Sequence, residues 1–165
     1  MDVYLVRHAV AEQRDVDRWP DDSLRPLTAD GEERFRRAAR GLGKLVPTVD
    51  EVLSSGYPRA WRTAELLHEE AGWPEPRECP ELEASRAAAD ALGLLRGRES
   101  PSVALVGHEP YLSSLASLLV TGDPWRLRLE LKKGAAALVT FEPEEGPGSA
   151  WLRWSASPRI LRGLA

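Results

Sequence analysis

Two short apolar runs, each breaking off at a histidine, constrain this chain more than any other feature. Val3-Tyr4-Leu5-Val6 ends abruptly at Arg7-His8, and Ser102-Val103-Ala104-Leu105-Val106 ends at Gly107-His108. Continuous apolar runs of this length, rich in β-forming residues, fit strands buried on both faces of a sheet. A buried strand that stops so sharply delivers its first polar side chains to the edge of that sheet. Both histidines are therefore predicted just past the C-terminal ends of strands.

The segments between these runs have helical spacing. Residues 11–27 are polar and carry Pro20 and Pro26, so they read as a loop leading to Thr28, a helix N-cap. Phe35, Ala38, Ala39, Leu42 and Leu45 then recur as one apolar helix face, and Pro47 stops it. Val49 to Ser54 is a second strand candidate. The turn Ser55-Gly56-Tyr57-Pro58 follows it, and a helix from about Arg59 carries Ala60, Ala64, Leu67 and Ala71 on one face. Residues 74–80 are proline-rich and read as a connection. A further helix with Ala88, Ala91, Leu92 and Leu95 leads to Gly97. After His108, Pro110 suits the first turn of a helix bearing Leu112, Leu115, Ala116 and Leu119. Ala135 to Phe141 and Trp151 to Ser155 flank a turn-rich stretch and read as a closing hairpin.

Strands alternating with helices predict an α/β fold, a three-layer α/β/α sandwich on a mainly parallel sheet. Its site belongs beyond the carboxyl ends of the strands, where Arg7-His8, Arg59 and Gly107-His108 all fall. At 165 residues with no linker or repeat, the chain is expected to form a single domain over 1–165. A net charge of -4 argues against a nucleic-acid surface, and no apolar run reaches the length needed to span a bilayer. With a start lacking signal-peptide features, a cytoplasmic protein is expected. Cys79 is the only cysteine and only three histidines occur, so neither a disulfide nor a metal site is expected. The basic residues comprise 19 Arg and 3 Lys, a bias spread over the whole chain, so only particular arginines carry an argument.

Leu5-Val6-Arg7-His8-Ala9 resembles the Arg-His-Gly/Ala signature of the histidine phosphatase superfamily. Two later segments agree with it in order and spacing. Ser54-Ser55-Gly56-Tyr57-Pro58-Arg59-Ala60-Trp61-Arg62-Thr63-Ala64 is similar to the family's Ser-Ser-x-x-x-Arg-Ala-x-x-Thr-Ala segment, and Gly107-His108-Glu109-Pro110 to its Gly-His motif. Leu27-Thr28-x-x-Gly31 matches as well. The resemblance spans Val3 to about Leu119 and implies a phosphoglycerate mutase-like fold, no cofactor, and hydrolysis through a phosphorylated His8.

In-line phosphoryl transfer needs a positioned nucleophile and fixed donors around the phosphoryl oxygens. A neutral imidazole supplies the nucleophile at His8 if its other nitrogen is held as a donor. Arg7 and Arg59 offer planar donor forks that match phosphate, and His108, when protonated, adds a third charge-assisted bond. The general acid is left open between Glu109, Glu81, Glu83 and none. Only about 48 residues separate Arg59 from His108, too few for the insertions that cover the pocket in mutase-like relatives. That brevity is most similar to the SixA-like branch and implies an open site for a phosphohistidine-bearing protein. A small phosphorylated substrate, with Glu109 as acid, and a non-catalytic phosphoprotein-binding module are the alternatives. Arg14, Arg18 and Arg25 form an early cationic loop that either meets an acidic partner or is simply solvated. His68, Trp61, Trp73 and Cys79 are expected to have no chemical role.

Overall fold

The computed structural model describes residues 1–165. Strand β1, Asp2–Arg7, and strand β4, Ser102–Gly107, are the two apolar runs, and they lie side by side in parallel register with Arg7 opposite Gly107. Strand β2, Glu51–Ser54, flanks β4, and the two-residue β3, Arg77–Glu78, forms the edge beyond it. On the other side come β5, Ala136–Thr140, and β6, Trp151–Ala156, paired as the expected antiparallel hairpin. The sheet order is β3-β2-β4-β1-β5-β6, and β5 runs antiparallel to β1.

Strand alternation divides the core into two layers. Tyr4, Val6, Val52, Ala104 and Val106 face one side of the sheet. Helices α1, Ala29–Leu45, α2, Pro58–Ala71, and α5, Pro158–Leu164, cover them. Val3, Leu5, Leu53, Val103 and Leu105 face the other side, beneath α3, Asp90–Arg96, and α4, Tyr111–Thr121. This is the three-layer α/β/α sandwich expected from the sequence. Because successive strand residues point to opposite faces, a strand buried on both has no polar position to spare until it ends.

Thr28 caps α1 as expected, its Oγ1 accepting from the Gly31 amide at 2.9 Å. Gly31 is required for closeness: a Cβ there would press into the backbone carbonyl of Val10 and crowd the Thr28 hydroxyl. Three local expectations are corrected. Leu45 lies at the end of α1, past the face that packs, and is exposed. The proline-rich connection contains β3, too short to show a period of two. Pro110 stands immediately before α4 rather than in its first turn. Helix α5 is an addition, started by Ser157, whose hydroxyl accepts from the Ile160 amide.

Candidate active site

The β1–β4 register continues past the strands and sets the two histidines together. His8 donates its amide to Gly107 O at 3.0 Å, and the His8 and His108 rings lie 5.2 Å apart, centre to centre. Arg7 leaves the end of β1, Arg59 is the second residue of α2, and His108 follows β4. All four, with Glu109, line one cleft of about 960 Å³ at the C-terminal edge of the parallel strands. His8 is 5% exposed, His108 2% and Arg59 3%, so their polar atoms answer to the cleft and the protein rather than to bulk water.

Backbone carbonyls aim the polar side chains. The His8 Nδ1 lies 2.7 Å from Ala9 O, so Nδ1 carries the proton and Nε2 is left bare. Ala9 is itself fixed: its amide donates to Thr63 Oγ1 at 3.0 Å, and the Thr63 hydroxyl donates to Arg59 O at 2.7 Å. Arg7 Nη1 donates to Leu131 O at 2.7 Å. Arg59 Nη1 donates to Asp22 O at 2.6 Å, and its Nη2 meets the Asp22 carboxylate at 3.2 Å. The Arg59 guanidinium also stacks over the Tyr57 ring, 5.1 Å from its centre.

Burial is the main cause of the site's electrostatics. It pushes the pKa of His8 down to about 2, aided by the neighbouring His108. It pushes that of His108 down to about 3, aided by the Arg59 guanidinium. A charge-assisted bond from His108 was expected only if the ring is protonated, and burial favours its neutral form instead. Its Nε2 lies 3.0 Å from Ser55 Oγ, and its buried Nδ1 has no partner.

The acid candidates separate by position. Glu81 accepts from the Cys79 thiol, and neither Glu81 nor Glu83 lines the cleft. Glu109 does line it, but both carboxylate oxygens are engaged as acceptors. Oε1 takes the Leu131 amide at 2.8 Å; Oε2 takes the Ser113 hydroxyl at 2.6 Å and amide at 3.2 Å. The Leu131 peptide thus ties Glu109 to Arg7.

Several cleft residues carry no signal in the sequence pattern. Arg25, read in the sequence as part of a cationic loop that either meets an acidic partner or is solvated, is instead buried and bonds the Asp22 carboxylate and Glu12 O. Burial pushes the Asp22 carboxyl up, but the bond from Arg25 and the charges of Arg25, Arg59 and Arg14 outweigh it and hold it low. Lys133 and Arg14 add further positive charge to the cleft, whereas Arg18 lies outside it against Glu12. These residues come from loops of irregular structure, where no period marks them. Trp61 and Trp73 are away from the cleft, Trp73 packed in the core with its Nε1 on Val46 O. His68 is exposed and bonds Trp73 O. Burial pushes the Cys79 thiol up to about 11. No three His, Cys, Asp or Glu side chains gather where a metal ion would be held, and no helix is long and apolar enough to cross a membrane.

The sequence pattern of the histidine phosphatase superfamily (branch 1) matches residues 3–84. An uncharacterized protein of Picosynechococcus sp. is 34% identical over 137 residues, covering 81% of each chain. The solved structure of the protein histidine phosphatase SixA, complexed with tungstate, superposes with a TM-score of 0.83 at 26% identity, covering 98% of this chain and 99% of SixA. A mycobacterial glucosyl-3-phosphoglycerate phosphatase with bound VO3 shares the fold at a TM-score of 0.72 and 18% identity, covering 94% of this chain and 99% of its own. The chain belongs to the histidine phosphatase superfamily and is a phosphatase. Within that superfamily its fold is SixA-like.

Proposed function

We propose that this phosphatase removes the phosphoryl group from phosphohistidine on a protein, with His8 as the nucleophile and Arg7, Arg59 and His108 binding the phosphate. The observation that carries the reading is the His8 tautomer: Nδ1–H is given to Ala9 O at 2.7 Å, and the ring is held neutral by burial. The Nε2 lone pair attacks phosphorus, a new N–P bond forms, and the substrate's P–N bond breaks with its electron pair going to the leaving ring, which departs as neutral imidazole because its other nitrogen carries a proton in the substrate. Water then attacks phosphorylated His8, the N–P bond breaks, and orthophosphate leaves with His8 restored. Arg7 and Arg59 gather the negative charge spread over the phosphoryl oxygens.

The state of Glu109 favours phosphohistidine over a phosphomonoester. An alkoxide leaving group needs a proton in the transition state, whereas here nucleophile and leaving group are both imidazoles and are matched in basicity. The protein contacts of Glu109, from the Leu131 amide and from the Ser113 hydroxyl and amide, all use its oxygens as acceptors, the role opposite to that of a proton donor. A breadth of about 960 Å³ also suits a side chain entering from another protein's surface. The small-molecule reading draws on one observation, that Glu109 lines the cleft. Its breaking point is Glu109→Gln: a phosphomonoesterase loses activity with that change, while a phosphohistidine phosphatase keeps most of it.

The test is to give the purified protein a phosphohistidine-bearing protein and, separately, a panel of phosphomonoesters. Phosphate release and acid-labile label on residue 8 are followed for the wild type and His8→Ala. Faster release from phosphohistidine, with label lost in His8→Ala, is expected. Preference for a monoester overturns the substrate assignment, and substantial turnover by His8→Ala overturns the nucleophile.

A further inference from the structure

The two histidines of the cleft are held by different kinds of partner. His8 gives its Nδ1 proton to a backbone carbonyl, which can only accept. His108 meets a hydroxyl, Ser55 Oγ, which can donate or accept, 3.0 Å from Nε2. The surroundings of that hydroxyl decide the direction. Ser55 is fully buried just past β2, and its amide is committed to Val106 O at 3.0 Å. The Tyr57 amide donates to Ser55 Oγ at 3.3 Å. Were Nε2 protonated, Oγ would receive two donors and its own hydrogen would have no acceptor in a water-free position, an arrangement with the cost of a buried unmade bond.

We infer that Ser55 is a positioning residue that donates its hydroxyl proton to His108 Nε2 and so holds His108 in the Nδ1–H tautomer, aimed at the phosphate. Every group around Ser55 Oγ is then used. The His108 Nδ1–H is left buried with no protein partner, in a ring that lines the cleft between the rings of His8 and Tyr57. Its acceptor is the phosphate oxygen, an assignment that rests on the phosphatase reading above. The site therefore contains two neutral imidazoles in the same Nδ1–H tautomer but turned opposite ways, His8 presenting the Nε2 lone pair and His108 the Nδ1–H. His108 binds phosphate without first taking a proton from solvent, and phosphate binding has no acid limb near pH 6.5 arising from this ring.

The experiment uses the full chain with ¹⁵N-labelled histidine, in which long-range proton–nitrogen correlations report which nitrogen of His108 carries the proton. Orthophosphate is the probe for binding, titrated by NMR or calorimetry. Wild type is expected to show protonated Nδ1 and bare Nε2 at pH 7. Ser55→Ala is expected to populate the other tautomer and weaken orthophosphate binding by roughly 10-fold, the loss for a bond to a charged acceptor. Ser55→Thr, which keeps the hydroxyl, restores both. Protonated Nε2 in the wild type, or an unchanged tautomer in Ser55→Ala, overturns the inference. The tautomer is read in the resting protein without turnover. A wild type with protonated Nδ1 that forms no label on His8 and releases no phosphate thus refutes the phosphatase reading and not the role of Ser55. An active enzyme with protonated Nε2 refutes only the latter.

Discussion

Two neutral histidines buried side by side in one cleft make the protein sensitive to acid, and the size of the effect follows from their surroundings. In the unfolded chain each ring has its ordinary pKa of 6.5; in the folded protein burial lowers His8 to about 2 and His108 to about 3. Between those values the unfolded chain binds the extra protons, so stability is greatest above pH 6.5 and falls as pH drops through that point. At pH 5.5 the loss is about 1.4 kcal/mol per ring, or on the order of 3 kcal/mol for the pair relative to pH 7.5. That is a substantial fraction of a typical domain's stability. Urea titrations of the ligand-free protein across this range measure it directly, with His8→Gln/His108→Gln as the reference. The rest of the chain is the same in both proteins, so the difference in slope isolates the two buried rings. Each single variant is expected to remove about half of the extra acid sensitivity. A double variant that loses as much stability between pH 7.5 and 5.5 as the wild type refutes the reasoning.

Gly31→Ala is expected to lower the melting temperature, at a cost of about 1–3 kcal/mol. The new methyl meets the rigid Val10 carbonyl rather than a side chain that can swing away. Thermal melts of the variant and wild type check this. Thr63→Val keeps the shape of the side chain but strands the buried Ala9 amide, which is expected to destabilise by about 1–3 kcal/mol in urea titrations. Because Ala9 O holds His8, labelling of His8 should slow in the same variant even where the fold is retained.

The sequence made the site's chemistry legible where a strong local pattern ran out. Val3–Val6 and Val103–Val106 are apolar on both faces, so the residues that follow are the first able to carry polar groups, and those are His8 and His108. Arg59 was legible for a similar reason, as a cation at the start of a helix directly after a strand. Arg25, Asp22 and Lys133 were not, because they sit on loops or in a single 3-10 turn, Asp22–Leu24, whose position over the cleft depends on contacts distant in sequence. Arg25, for instance, reaches the site through Asp22 and the carbonyl of Glu12. Burial was equally invisible: nothing next to His108 in the chain announces that its ring is kept neutral. Helix α5 had a legible start in Ser157-Pro158 but only seven residues, too few for periodicity to speak.

The reliance on main-chain carbonyls has a consequence for how such a protein diversifies. Ala9 and Leu131 orient the His8 ring and the Arg7 guanidinium through groups every residue possesses. What the carbonyl's task demands of Leu131 is a path for the chain, so any residue that fits its buried place can hold Arg7 in the same way. Ala9 is held more tightly, since its small side chain is buried in the core while its amide meets Thr63 and its carbonyl meets His8.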